Sequence, residues 1–227
     1  MKVLDEKTYN HVELNNEVTK RDETGFYKLE KDLEALEVFM EEVESKTIHF
    51  DSELERLHYL VENDFYYDLF KEYDEAGLTE IIDHANSIDF KFKSYMAASK
   101  FFKDYTLKTN DKKQYLEDYR QHVVIVSLYL AKGNIKTAKT FITSMMEQRY
   151  QPATPTFLNA GRARRGEMVS CFLLEVDDSL NSINYIDSTA KQLSKIGGGV
   201  AINLSKLRAR GEAIKGIEGV AKGVLPV

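Results

Sequence analysis

Hydrophobic residues recur at helical spacing along the first 150 residues. One stripe runs from Leu29 through Leu33, Leu36, Met40 and Val43, with acidic residues on the opposite face, which is typical of a helix with one buried side. Similar stripes occupy residues 57–61, 65–73, 81–85, 95–105, 115–131 and 135–148. The pattern predicts an all-helical region with its methionine and aromatic side chains in the core.

Several predicted helices carry signals at their ends. Ser52 and Glu55 have the spacing of a capping box. Gly77 follows the 65–73 stripe and predicts a helix end there. Gly133 followed by Asn134 predicts the end of one helix and the start of the next. These signals imply short connections between the helices.

The hydrophobic pattern changes after residue 150. Residues 169–176 form an apolar run of strand length, residues 180–195 have helical periodicity, and residues 200–204 form a second apolar run. Strand, helix and strand in this order are the unit of a parallel sheet. Two strands do not make an independent sheet with a buried face, so we expect this region to be the incomplete beginning of an α/β domain.

The composition changes at the same place. All three prolines and nine of the twelve glycines lie beyond residue 150, whereas 22 of the 25 aromatic residues lie before it. We therefore predict two domains: a helical domain over 1–150 and the start of an α/β domain over 151–227.

The overall composition excludes several classes of protein. With 43% hydrophobic and 30% charged residues the chain is globular rather than disordered, and its net charge of −6 disfavours a nucleic-acid-coating role. No apolar run is long enough to cross a membrane. A single cysteine excludes an internal disulfide and a cysteine-rich zinc site. We expect a cytoplasmic protein with no membrane association.

Candidate chemistry is confined to a few positions, each with two interpretations. The five histidines have no metal-ligand spacing, so no metal site is predicted. Cys171 is either a small buried hydrophobic residue or a redox thiol. The glycine-rich segment 195–199 is either a tight helix-to-strand turn or a place where the backbone approaches a ligand closely. The basic run 162–165 is either a solvated loop or a phosphate contact.

Two long segments resemble a known family. They are QPATPTFLNAGRARRGEMVSCFLLEVDDSLNSI over 151–183 and KQLSKIGGGVAINLSKLRARG over 191–211. Both closely resemble the large (alpha) subunit of class Ib ribonucleoside-diphosphate reductases of the NrdE type. The resemblance covers essentially the whole chain but only the first part of the family's length. It implies an N-terminal helical domain followed by the first strand–helix–strand part of a ten-stranded α/β barrel.

The resemblance also implies the chemistry. The family reduces ribonucleoside diphosphates to deoxyribonucleoside diphosphates for DNA synthesis by thiyl-radical chemistry. Cys171 matches one cysteine of the pair that delivers two electrons to the ribose 2′ position and ends as a disulfide. Thr154, Ser170 and Gly199 match positions that, with Cys171, bind the substrate.

Regulation is implied in the same way. Asp178 and Arg208 match positions that bind the dNTP or ATP effector, which sets substrate preference. The helix from 179 to 195 resembles the one at the interface of the family's alpha–alpha dimer. The loop from 206 to 219 resembles the effector-responsive loop. Residues 18–22 faintly resemble the ATP-cone domain of longer relatives.

The implied partners are a small (beta) subunit, a reductant and further alpha chains. The beta subunit contains the metal and supplies the radical, a thioredoxin- or glutaredoxin-like protein restores the thiols, and the alpha subunit dimerises. No cofactor is expected to bind this chain directly. The second thiol and the radical cysteine lie later in the family, so we expect the 227 residues to be inactive without the rest of the subunit.

Two rival functions stay open on the sequence. The first is a non-catalytic nucleotide-binding or protein-interaction fragment, because the chain has one cysteine but retains Asp178 and Arg208. The second is a helical adaptor formed by residues 1–150, which predicts that residues 151–227 are dispensable for partner binding.

Overall fold

The computed structural model describes residues 10–18, 23–25, 33–164 and 166–226. Leu29 of the first stripe, residues 19–22 of the ATP-cone resemblance and Arg165 of the basic run lie outside the described residues. The chain forms two compact units, residues 1–164 and residues 165–227. Each unit is described by itself.

Helices make up the regular structure described in unit 1. Their bounds are α1 (His11–Val18), α2 (Leu33–Ser45), α3 (Glu53–Glu62), α4 (Glu75–Asn86), α5 (Tyr95–Asp104), α6 (Tyr119–Ala131), α7 (Ile135–Met146) and α8 (Thr154–Asn159), with a short 3₁₀ turn at Leu69–Lys71. Unit 2 consists of β1 (Cys171–Glu175), α9 (Leu180–Lys195) and β2 (Gly199–Asn203), followed by a loop. The predicted helical region followed by the start of an α/β fold is confirmed.

Helix α6 is the centre of unit 1. Every residue from His122 to Leu128 is buried, so the helix is enclosed on all sides rather than amphipathic. It packs against α7 and α4. Its start is fixed by a complete capping box: Asp118 accepts from the Gln121 backbone, and the Gln121 side chain accepts from the Asp118 backbone.

Local signals were correct at some helix ends and wrong at others. Ser52 caps α3 by accepting from Glu55 N, but the Glu55 carboxylate accepts from Asp51 N, so the predicted box is only half formed. Gly77 does not end a helix. It lies in the first turn of α4, where an added Cβ would come within 2.9 Å of Asp74 Oδ1 and 3.0 Å of Ile135 Cδ1, so the missing side chain leaves room for the capping carboxylate and for α7.

Unit 1 continues beyond the change in composition at residue 150. Residues 161–163 run beside 65–67, with Tyr67 N donating to the Gly161 carbonyl and Ala163 N donating to the Phe65 carbonyl, each at 3.0 Å. Phe157 of α8 is also buried. The segment 151–164 therefore folds with the helices, although its proline and glycine content resembles that of the second region.

Unit 2 is a βαβ unit with two parallel strands. β1 pairs with β2 in parallel, and the register places Cys171 opposite Gly199 and Glu175 opposite Asn203. Helix α9 connects the strands and contacts both of them. Ser179 caps α9 by accepting from Ser182 N at 3.1 Å, a role for which serine is well suited.

Candidate active and effector sites

Cys171 is the first residue of β1 and is exposed. Along this strand Phe172 and Leu174 are partly buried, whereas Cys171, Leu173 and Glu175 are exposed, as strand alternation requires. The interpretation of Cys171 as a small buried hydrophobic residue is therefore wrong, because its side chain is exposed in unit 2. The strand covers only Cys171–Glu175 of the apolar run 169–176. The thiol therefore lies at the start of the strand.

Ser170 and Gly199 lie next to Cys171. Gly199 N donates to the Ser170 carbonyl at 2.6 Å, and Gly199 is the direct register partner of Cys171. These three predicted site residues are thus brought together at the start of the two strands. A Cβ on Gly199 would come no closer than 3.4 Å to its nearest neighbour, the Ser170 carbonyl oxygen, so packing within unit 2 does not itself require glycine there.

The two preceding glycines explain the helix-to-strand turn. Gly197 has φ +88°, a conformation that favours glycine. A Cβ on Gly198 would come within 2.3 Å of Phe172 Cε2, so this position must be glycine for Phe172 to pack. The tight-turn interpretation of 195–199 is correct for Gly197 and Gly198.

Thr154 belongs to unit 1, where it is the first residue of α8. Its hydroxyl lies 3.2 Å from the Tyr105 hydroxyl. Pro155 follows in the first turn of the helix, a position that tolerates proline because its missing N–H would have no helical partner. This local structure fixes where the Thr154 backbone lies.

Asp178 and Arg208 form an ion pair in unit 2. Arg208 Nε donates to Asp178 Oδ2 at 2.7 Å, and Arg208 Nη1 donates to the Ala213 carbonyl at 3.2 Å. Both side chains are about one-third exposed, at 35% and 34%. The two predicted effector residues, thirty positions apart in sequence, are therefore in direct contact.

A cleft of about 380 Å³ lies beside this pair. It is bordered by the start of α9, including Ser179 and Leu180, and by Lys222 from the final loop. A helix start and two cationic side chains favour an anionic ligand, and the volume suits a small molecule. Asp178 adds an acceptor that suits a ribose hydroxyl.

A buried polar network in unit 1 was not predicted from the sequence. Glu117 Oε1 accepts from Arg162 Nη2 at 2.5 Å, from Leu107 N at 2.7 Å and from His122 Nδ1 at 2.9 Å. The Tyr66 hydroxyl donates to Glu117 Oε2. Arg162, expected in a solvated loop or at a phosphate, is only 8% exposed. The solvated-loop expectation is wrong for Arg162, because this arginine is buried and pairs with a buried carboxylate.

The electrostatics of this network favour an ionised Glu117. Burial by itself would raise the pKa of the Glu117 carboxyl. Arg162 and His122 outweigh this effect and hold the pKa well below its usual range. The Tyr66 pKa is raised by burial and by the Glu117 charge, so its hydroxyl remains a donor. The network is a structural ion pair, and its residues are distinct from the predicted redox and effector residues.

Searches for two other kinds of site found nothing within the described ranges. No group of three or more metal-ligating side chains lies close enough to hold an ion in the described part of the chain. No described helix has the length and hydropathy needed to cross a membrane.

Comparison with known proteins identifies the architecture. Residues 11–90 match the family model of the ribonucleotide reductase N-terminal region, 91–165 match the ribonucleotide reductase all-alpha domain, and 169–227 match the ribonucleotide reductase barrel domain. These three models follow one another along almost the whole chain. The chain belongs to the ribonucleotide reductase family.

The relatives of this chain are named as alpha subunits. It is 51% identical over 220 residues to the ribonucleoside-diphosphate reductase NrdEB subunit alpha of Bacillus subtilis, covering 96% of the chain and 20% of that protein. It is 49% identical to another B. subtilis ribonucleoside-diphosphate reductase subunit alpha, covering 95% of the chain and 31% of that protein. The ribonucleoside-diphosphate reductase subunit alpha of Mycoplasma genitalium is 45% identical over 198 residues, covering 86% of the chain and 28% of that protein.

The resemblance inferred from the sequence is thereby confirmed. The chain spans between a fifth and a third of the length of these relatives. The boundary between the all-alpha and barrel matches, at residues 165 and 169, adjoins the boundary between the two structural units at Arg164. The barrel match contains β1, α9 and β2.

Proposed function

We propose that this chain forms the amino-terminal part of a ribonucleoside-diphosphate reductase alpha subunit and contributes one of its two reducing thiols. The observation that carries the proposal is the position of Cys171. It is exposed at the start of the first strand of the barrel-matching segment, beside Ser170 and opposite Gly199. A thiol must be accessible to react with a substrate and a partner thiol.

The proposed reaction consumes two thiols and one ribose hydroxyl. The C2′–O bond breaks, and the oxygen leaves as water. One thiol hydrogen replaces the hydroxyl on C2′, the other completes the water molecule, and the two sulfurs join in a disulfide. Because the chain contains one cysteine, the second sulfur must come from the remainder of the subunit.

Substrate positioning is proposed for Thr154, Ser170 and Gly199. The hydroxyls of Thr154 and Ser170 can donate to or accept from a phosphorylated sugar. Gly199 leaves space beside the thiol, and the contacts within unit 2 do not explain its lack of a side chain. The substrate proposed for this group is a ribonucleoside diphosphate.

Effector binding is proposed for Asp178 and Arg208. The guanidinium suits a dNTP or ATP phosphate, and the carboxylate suits a sugar hydroxyl. The adjoining cleft has a volume compatible with a nucleotide. An effector that favours one arrangement of the 206–219 loop would change substrate preference through its differential affinity for the two arrangements.

The proposed assembly follows from the family. Residues 1–164 would provide the helical domain and residues 165–227 the start of the barrel. The partners would be the remainder of the subunit, a second alpha chain at α9, a metal-containing beta subunit that supplies the radical, and a thioredoxin- or glutaredoxin-like reductant. No cofactor would bind directly to these residues.

Substitution of Arg208 tests the effector assignment. We expect Arg208→Ala to weaken dNTP binding about tenfold or more, since a charge-assisted hydrogen bond to phosphate is worth about 1.5–3 kcal/mol. Its effect on folding should be below about 1 kcal/mol, because the ion pair is partly exposed. Calorimetric titration of dATP and urea unfolding measure the two effects.

The matched control is Lys191→Ala. Lys191 lies in α9, and its ammonium pairs with the Asp187 carboxylate at 2.5 Å. This variant should bind dATP as the wild type does. Equal losses in the two variants would contradict a specific role for Arg208.

The rival of a non-catalytic nucleotide-binding fragment is tested in the same preparation. Combining the chain with the remainder of the subunit, the beta subunit and a reductant should yield deoxynucleoside diphosphate. Effector binding without any product would favour the rival.

A further inference from the structure

A cleft in unit 1 has a cationic lining that the proposed reductase chemistry does not use. It has a volume of about 440 Å³ and lies between residues 63–65, the end of α5 with the loop that follows it, and residues 162–164. Lys103, Lys108 and Lys112 line it, together with Arg162 and Arg164. Five cations thus surround a space large enough for a small molecule.

The three lysines are not neutralised locally. Among the described residues, no carboxylate lies within ion-pair distance of Lys103, Lys108 or Lys112. Burial lowers the pKa of the Lys108 ammonium; Asp104 opposes this effect, and the charge of Lys112 lowers the pKa further. Lys112 therefore repels Lys108, and an anion between these two ammonium groups would relieve the repulsion.

The two acidic residues of the lining are already paired. Asp104 Oδ2 lies 2.5 Å from Lys100 Nζ, and Asp64 Oδ2 lies 3.7 Å from Arg164 Nη2. Neither contacts the lysine group directly, so the cleft retains an excess of positive charge.

Arg162, one of the residues that line the cleft, has a buried donor without a partner among the described residues. Arg162 is 8% exposed and uses Nη2 to contact Glu117 and the Tyr105 carbonyl. Its Nη1 is buried and has no hydrogen-bond partner among the described residues. Such a donor is rare in a folded protein, because leaving it unpaired costs the desolvation of the group.

The backbone holds the cationic loop in place. Thr109 N donates to the Gln114 carbonyl, and Lys112 N donates to the Thr109 carbonyl at 2.8 Å. Lys108 Nζ donates to the Lys103 carbonyl at 2.9 Å and lies over the Tyr115 ring. Lys108 and Lys112 thus lie on a hydrogen-bonded loop and Lys103 on helix α5, which reduces the ordering cost of binding.

We propose that this cleft binds the phosphate groups of a small phosphorylated ligand. Ammonium and guanidinium donors converging on one space are the groups that recognise phosphate. The half-buried side chains of Phe65 and Leu107 add an apolar wall for an organic part. A cleft of this volume suits a small molecule better than an extended acidic peptide. None of the lining residues is a predicted redox or effector residue.

The test is calorimetric titration of pyrophosphate into the full chain and into Lys108→Gln/Lys112→Gln, which keeps most of each aliphatic stem. We expect the double variant to bind at least about tenfold more weakly. The matched control, Lys71→Gln/Lys136→Gln, removes the same charge from exposed lysines outside the cleft and should bind as the wild type does. Thermal unfolding followed by circular dichroism checks that all three proteins are folded.

Three outcomes would overturn the proposal: no saturable binding of pyrophosphate, equal weakening in the two double variants, or unchanged binding in the cleft variant. Titration of ATP in the Arg208→Ala background, which removes the proposed effector site, identifies the source of the phosphate. Tighter binding of ATP than of pyrophosphate supports a nucleotide, and equal binding supports a free phosphate compound. A failure of this site leaves the reductase assignment unaffected, because that assignment rests on other residues.

Discussion

Replacement of Cys171 by serine in the complete reductase is expected to lower deoxynucleotide formation by about 10³-fold or more, the size of effect seen when a group that performs the chemistry is removed. Serine preserves the size of the side chain but cannot form a disulfide, so it cannot deliver electrons with a partner thiol. Because Cys171 is exposed at the start of β1, the substitution should leave the packing of unit 2 unchanged. Product formation with the beta subunit and reductant present is the measurement.

The control for this variant is effector binding. Asp178 and Arg208 contact each other beyond the other end of β1, so Cys171→Ser should bind dATP with unchanged affinity. A variant that retained the wild-type rate would contradict the redox role. A variant that lost both activities would indicate damage to unit 2 rather than loss of a thiol.

The second large effect concerns stability. Glu117→Ala should destabilise the helical unit by about 3–5 kcal/mol, the cost of breaking a buried ion pair and leaving its partner uncompensated. Arg162 would remain buried without its carboxylate, and Leu107 N and Tyr66 would each lose an acceptor. Urea unfolding at pH 7 gives the change in the free energy of unfolding.

An exposed glutamate provides the comparison. Glu147 pairs with Arg149 at the surface, at 2.7 Å, and Glu147→Ala should change stability by less than about 1 kcal/mol. Similar losses in the two variants would contradict the importance of burial in the Glu117 network.

The same network predicts a pH dependence. The folded-state pKa of Glu117 is lowered, so its ionisation stabilises the fold above the unfolded-state pKa, about 4.3. This contribution should decrease as the pH falls below that value and disappear below the folded-state pKa. The difference in the free energy of unfolding between wild type and Glu117→Gln should therefore shrink as the pH is lowered from 5. A difference that stays constant would contradict an ionised Glu117 in the folded protein.

Regular periodicity made much of the fold predictable. The Gly133–Asn134 pair correctly located the junction of two helices, because both residues act locally: Gly133 has φ +82°, and Asn134 accepts from Thr137 N at 2.9 Å. Gly77 misled the prediction because its role is tertiary. Its missing side chain accommodates Ile135, which is distant in sequence.

The buried network could not be predicted from local pattern. Glu117 and Arg162 are 45 residues apart, and each resembles an ordinary charged surface residue in the sequence. Their burial depends on how residues 161–163 fold back beside 65–67. The change in composition at residue 150 likewise did not reveal that this segment joins the helices.

Family resemblance indicated some candidate site residues, and local sequence pattern indicated others. Resemblance to the family, rather than spacing, indicated Asp178 and Arg208, and the structure then placed them 2.7 Å apart. Strand periodicity located Cys171 in the sheet, but whether its side chain was buried depended on which face of the strand α9 covers. Of the 195–199 segment, turn chemistry explains Gly197, and packing explains Gly198.

The most direct test of the account is the oxidation state of Cys171 after one turnover. The complete alpha subunit containing these residues would be reduced, freed of reductant and allowed to convert one equivalent of ribonucleoside diphosphate with the beta subunit. Peptide mapping by mass spectrometry without reduction would then locate the disulfides. The account predicts that Cys171 is joined to a second cysteine of the subunit in proportion to the deoxynucleotide formed. Product formed while Cys171 remains a free thiol would contradict it.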